Sequence, residues 1–261
     1  MSRSADPTIR PTMASQRFLP NREIERVVYL VSGALDYTLL ICPDAGPAYA
    51  QSFGWKHDSF GRITFYLNRE YVLFIDTRLN AEEYECLYSY IVANPETEFV
   101  LTVTDPCFEQ CIDKPLYKLL FRCVHLANVR ILSRYQPAEL LQFLYNLVGE
   151  QRMLTLNYPY ILNKENEMSS KRKHRIVLSG ALGRTVYPER YVFWRTVSRS
   201  VWRLKVDVLS HPGYPDVGME LAHNIFDDSY IRHLAGYHFM FIGPSRCDLE
   251  LLKYTECAYA G

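Results

Sequence analysis

Along the first 150 residues, short apolar runs alternate with longer stretches whose apolar residues recur at helical spacing. The run "YVLFIDT", Tyr71 to Thr77, predicts a strand, since a continuous aromatic and β-branched run suits a strand buried on both faces. "NAEEYECLYSYIVANP" follows, with Tyr84, Leu87, Tyr88 and Ile91 on one helical face and Asn80 placed to cap the first turn. "EFVLTVTDP" repeats the device. Glu98 to Thr104 predicts a strand, Asp105 stands where a helix cap belongs, and Pro106 suits the first helical position of a helix running on through "LYKLLFRCVHLA". A third unit reads from "NVRILSRY" into "QPAELLQFLYNLVGEQ", and "YTLLICPD", Tyr37 to Asp44, reads as an earlier strand. Strand–helix units in succession predict a parallel sheet covered on both faces.

The pattern breaks at "LNKENEMSSKRKHR", Leu162 to Arg175, a polar and charged run with no apolar period that reads as a linker between two compact units. Its "KRKHR" reads as a solvated run rather than a nucleic-acid patch. Strand and helix then resume. Arg175 to Leu178 predicts a strand, Ser179, Gly180 and Gly183 a turn, and Pro188 and Glu189 the first turn of a helix. "LKVDVLSHPGYPDVG" gives another strand and a Gly/Pro-rich loop holding His211 and Tyr214. Asp228 to Leu234 predicts a short helix, and Tyr237 to Ile242 a strand, with Ser245 and Arg246 just beyond it. "LLKYTECAYAG" reads as the opening turns of a last helix.

Composition narrows the partners. Acidic and basic residues balance at 29 each, so no global field draws the chain to nucleic acid or to an anionic membrane, and an anionic ligand must be held by local groups. At 48% hydrophobic over 261 residues, there is core enough for one large domain or two ordinary ones. No apolar run approaches the roughly 18 residues that span a bilayer, and the N-terminus lacks a secretory h-region, so a cytoplasmic protein is expected. Residues 1–20, rich in Ser, Pro, Thr and Arg, read as a flexible arm. The seven cysteines are scattered, and the close pair Cys107 and Cys111 has no partner pair at zinc-site spacing, so they read as reduced, mostly buried thiols. Nothing fixes His223, Asp227, Asp228 and His233 on one face, and no metal site is expected.

The glycine turn after Leu178 carries the candidate chemistry. A turn between a parallel strand and a helix exposes backbone N–H groups at the positive end of a helix dipole, where phosphates bind, and Arg184 and Arg190 are placed to add charge. "SGALG" lacks the G-x-G-x-x-G spacing of a dinucleotide site, and a plain tight turn accounts for it equally well. Loops at the C-terminal ends of parallel strands line ligand crevices, which places His211 and Tyr214 in the same region.

The ordered series "LSGALGRTVYPER", "SHPGY", "SYIRHLAGYHFMFIGPSR" and "LLKYTECAYAG" resembles the nucleotide-sugar-binding half of glycosyltransferases of the two-Rossmann GT-B architecture, particularly the group 1 type. The resemblance covers residues 174–261 by motif and the first half by architecture alone. It implies an α/β fold of two Rossmann-like domains: an acceptor-side domain over 21–161, a linker over 162–174 and a nucleotide-sugar-binding domain over 175–261. A complete domain of that family continues past the position of Gly261. The second domain is therefore expected to be incomplete at its C-terminal end, and a second polypeptide is one way of completing it.

The reaction implied is transfer of a sugar from a nucleoside diphosphate sugar to an unidentified acceptor, with no cofactor and no metal. Glu256 matches the residue that holds the donor ribose hydroxyls, with Lys253, Tyr254, Ala258 and Gly261 around it; a carboxylate can accept two hydrogen bonds from a vicinal diol. Ser179, Gly180, Arg184, Arg190, His211, Tyr214, Ser245 and Lys253 complete the donor-binding candidates. An inverting enzyme also needs an acceptor-side base, for which Asp44, His57 and Asp105 are candidates, and a retaining one does not. Two other readings stay open. One is a catalytically inactive partner subunit of the same fold. The other is a flavodoxin-like or receiver-like regulatory protein, which accounts for the first half but not for the ordered motifs of the second.

Overall fold

The computed structural model describes residues 26–32, 50, 53–67, 71–76, 79–103, 113–133, 139–155, 171–212, 222–223, 225, 228–245 and 252–261. The expected strand over Tyr37 to Asp44, the cap at Asp105, residues Tyr214 and Arg246, the N-terminal arm and most of the linker lie outside them.

The first sheet is built from β1 (Val27–Val31), β2 (Lys56–Ser59), β3 (Val72–Ile75), β4 (Glu98–Val103), β5 (Val129–Ser133) and β6 (Met153–Thr155). All pairings are parallel and the order is β2-β1-β3-β4-β5-β6. Between these strands the described residues form α1 (Ala81–Ala93), α2 (Pro115–Cys123) and α3 (Glu139–Val148). Because side chains alternate along a strand, Leu73, Ile75, Phe99 and Leu101 face a core with Leu87, Ile91, Leu120 and Leu144 of the helices. Val27, Tyr29, Val72 and Phe74 face the other way, onto Phe53 and Trp55. Both faces are dry, which is why these strands read as unbroken apolar runs.

Local chemistry sets the helix starts. Asn80 and Glu83 form a reciprocal capping box at α1, each side chain accepting from the other's backbone N–H at 2.9 Å. The described helix α2 begins at Pro115, with Lys114 at its cap and no side-chain cap bond, and the helix start expected at Pro106 lies outside the described residues. Pro115 has no N–H to leave unsatisfied at the first helical position. The edge strand β2, "KHDS", has no apolar face, and within it His57 pairs with Tyr29 of β1 rather than lying in a loop.

The second sheet has β7 (Lys173–Ser179) at its centre, β8 (Val206–Leu209) on one side and β9 (Tyr237–Phe241) on the other, again all parallel. The strand β7 starts two residues before the expected Arg175, so Lys173 and His174 belong to the sheet rather than to a linker. Lys173 reaches the Tyr237 hydroxyl at 3.2 Å, Arg175 donates to Asp207 at 2.8 Å, and His174 stacks on His238. Pairing with a carboxylate and a phenol lets cations begin a strand. The helices α5 (Asp228–Ala235) and α6 (Leu252–Ala260) pack together on one face, with Val177, Ile231, Leu234 and Ala260 in the core. On the opposite face Phe193 of α4 (Pro188–Val197) stacks on Phe241 at 4.0 Å. The chain is thus a mixed α/β protein with two parallel sheets. Among the described residues no helix is long and apolar enough to cross a membrane.

Candidate functional site

In an open parallel sheet, ligands collect beyond the C-terminal strand ends where the strand order reverses. In the second sheet that point is β7, since the chain leaves it first for β8 on one side and later for β9 on the other. Ser179 ends β7, and Gly180 follows with φ +98°, a conformation that side chains strongly disfavour. Its N–H donates to Leu209 O at 2.9 Å, which turns the chain sharply out of the sheet. A Cβ at Gly180 would stand 2.8 Å from Lys253 Cε and 2.9 Å from Arg190 Nη1. Two cations from different helices therefore meet over the one residue that has no side chain.

Arg190 lies in the first turn of α4, which Pro188 starts, and only 1% of its surface is exposed. Its guanidinium stacks over the Tyr187 ring at 4.2 Å, yet Nε and Nη2 have no hydrogen-bond partner among the described residues. Burial lowers its pKa, opposed by the neighbouring Tyr187, Tyr230, Tyr254 and Glu256. Lys253, in the first turn of α6, donates to the Tyr230 hydroxyl at 2.8 Å, and Tyr230 donates in turn to Ser179 Oγ at 2.8 Å. One helical turn on, Glu256 Oε2 stands 3.8 Å from Lys253 Nζ, too long for a hydrogen bond, and that oxygen accepts none among the described residues. Its side chain is 13% exposed, and burial raises its pKa against the pull of Lys253 and Arg190.

His211 follows β8 and completes the group: burial, with Lys253, His223 and Arg190 nearby, lowers its pKa to about 4, so it is neutral at pH 7. The loop carrying it is pinned by His223, whose Nε2 pairs with Ser210 O at 2.7 Å and whose Nδ1 accepts from the Ile225 N–H.

The structure therefore brings Ser179, Gly180, Arg190, His211, Lys253 and Glu256 together. Arg184 is exposed in the turn before α4 and joins none of these contacts. Ser245 is buried in the loop after β9, which rides on α4 so closely that a Cβ on Gly243 would sit 3.1 Å from Glu189. Sequence reasoning did not single out Tyr230, the hydroxyl that links Lys253 to Ser179. Its spacing with Ile231 and Leu234 marks it as core, which it also is.

Among the described residues no group of three or more His, Cys, Asp or Glu side chains is gathered as metal ligands. Of the described cysteines Cys123 is buried, Cys257 half-buried and Cys86 exposed, so the expectation of mostly buried thiols does not hold for this set. Chemically, the site offers two cations at a strand end and a buried carboxylate one turn away: a place for a polyanion with a hydroxyl-bearing neighbour.

No family model matches this chain, and no curated protein matches it. Among solved structures it is similar to the pneumococcal O-GlcNAc transferase GtfA in complex with UDP and GlcNAc, at 8% identity and a TM-score of 0.41. The likeness covers 77% of this chain, which spans 42% of that one. At that level it carries no functional argument.

Proposed function

We propose that the crevice beyond β7 binds the nucleoside diphosphate of a sugar donor, and that the protein is a glycosyltransferase of the two-domain GT-B type moving that sugar to an acceptor on the first domain. The observation that supports this reading is the buried Arg190, with donors unpartnered, meeting Lys253 over Gly180 at a strand-order reversal. Buried guanidinium nitrogens without hydrogen-bond partners cost stability, on the order of 1–3 kcal/mol. An arriving diphosphate would supply the missing acceptors.

In this reading Arg190 and Lys253 face the diphosphate oxygens, whose negative charge grows as the sugar–oxygen bond breaks. Both cations are held before the ligand arrives, Arg190 by the Tyr187 ring and Lys253 by the Tyr230 hydroxyl, so little reorganisation accompanies bond breaking. Glu256, with Oε2 unpartnered, would accept from the ribose hydroxyls. Neutral His211 adds no positive charge to repel the two cations. Asp44, His57 and Asp105 stay as acceptor-side candidates, of which only His57, exposed on β2, is among the described residues.

The test is thermal stability against UDP, GDP, TDP, CDP and ADP. A nucleotide that binds the native state at a hundredfold excess over its Kd should stabilise the chain by about 2.7 kcal/mol. Loss of that shift in Glu256→Ala and Lys253→Ala supports the reading; a shift that survives in both variants overturns the site.

A further inference from the structure

The feature furthest from the donor site's logic is the connection from α4 to β8. Arg190 to Val206 contains no Asp or Glu, while Arg195, Arg199, Arg203 and Lys205 are all exposed. None of the four is paired with a carboxylate among the described residues. Between them a 3-10 turn, Val201–Lys205, presents Val201 at 80% exposure, Trp202 at 66% and Leu204 at 65%. Five consecutive exposed residues form a knuckle that stands off the surface.

This knuckle is held in place. The Ser200 side chain accepts from the Trp202 N–H at 3.2 Å and donates to Val197 O at 2.9 Å, and Arg175 bonds the Leu204 carbonyl. The backbone is anchored to α4 and β7 while the apolar side chains point out. We propose that Val201–Lys205 is a membrane-docking surface that seats on an anionic lipid bilayer, with Trp202, Val201 and Leu204 entering the headgroup–acyl boundary and the flanking cations on lipid phosphates.

Charge and side-chain type select this occupant. Aliphatic groups gain by leaving water at a bilayer boundary, Trp is suited to the interface itself, and cations beside them complement anionic headgroups. A second copy of the chain docking symmetrically would set the same four cations against one another. Single-stranded nucleic acid needs successive stacking platforms, and Val201–Lys205 offers one aromatic, Trp202, between aliphatic Val201 and Leu204. The balanced net charge of the whole chain does not oppose the proposal, because screening confines each interaction to about 10 Å.

The experiment is co-sedimentation of the full chain with vesicles of phosphatidylcholine alone or with about 30 mol% phosphatidylglycerol. Binding is expected to the anionic vesicles only and to weaken with added salt. Arg199→Gln with Arg203→Gln should weaken it about 25-fold, from about fivefold per cation. Val201→Ser, Trp202→Ser and Leu204→Ser together should abolish it. All five positions are exposed, so an unchanged thermal midpoint will show that the variants fold. Absence of binding to anionic vesicles, or equal binding by the triple variant, overturns the proposal. So does single-stranded RNA binding that is lost in both variants while vesicle binding persists.

Discussion

Each sheet of this chain reverses its strand order once, at β1/β3 in the first and at β7 in the second, and the two reversals differ in what their polar groups do. At the first, Tyr29 donates to Asp76 at 2.7 Å, and Ser32 donates to Glu83, which itself closes the α1 capping box. At the second, Arg190 and Glu256 keep buried atoms that have no hydrogen-bond partner among the described residues. The contrast is plainest between two arginines. Arg152 donates to the Val148, Leu126 and Val124 carbonyls and so ties helix ends together. Arg190 is more deeply buried, and two of its nitrogens donate to nothing among the described residues. Arg152 completes the fold with its own partners, whereas in the proposed reading a diphosphate would supply those that Arg190 lacks among the described residues.

The largest expected effect lies in the dry sheet. Leu73→Ala, fully buried in β3, should cost about 2–5 kcal/mol in urea unfolding, from lost burial and the cavity left behind. A cost no larger than that of an exposed-site change would show that the first sheet is not the packed half. Next come the arginines, for which opposite signs are expected. Arg152→Met should lose about 1–3 kcal/mol by orphaning carbonyls. Arg190→Met should gain about 1–2 kcal/mol without ligand, since a buried cation lacking partners is replaced by an apolar chain. Equal losses at both positions would erase the comparison.

A smaller effect sharpens the account of the first sheet: Asn80→Ala should cost about 1 kcal/mol by opening the capping box. The smallest is in pH dependence. His211 has a folded-state pKa of about 4 against an unfolded value near 6.5, so the unfolded chain binds the extra proton as pH falls through that window. Its contribution is intact above about pH 6.5 and is lost as pH drops toward 4. His211→Gln should flatten that part of the stability profile, read as thermal midpoint against pH.

How much was legible follows from the same physics. The strands β3, β4 and β5 announce themselves because both faces are dry. The short β6, half-exposed and three residues long, leaves too little pattern to read, and β2 is invisible because an edge strand with polar side chains looks like a loop. Pro115 starts α2 inside a run that spacing reads as one helix from Pro106, a position outside the described residues. "KRKHR" reads as solvated because the partners that draw Lys173 and Arg175 into β7, Tyr237 and Asp207, lie far along the chain. At the site, Lys253 and Glu256 are legible as an i, i+3 pair on one helix, and Arg190 as charge near a glycine turn. Their meeting over Gly180 depends on three elements packing at once, as does the Tyr230 bridge. No local pattern encodes either.

The most direct test of the central claim is a calorimetric titration of the wild-type chain and of Arg190→Met with the nucleoside diphosphate panel. Binding of at least one nucleotide to the wild type, weakened tenfold or more in the variant despite its undiminished stability, is the predicted result (about 1.4 kcal/mol or more). Equal binding by both proteins, or binding by neither, would contradict the assignment of the β7 crevice as a diphosphate site.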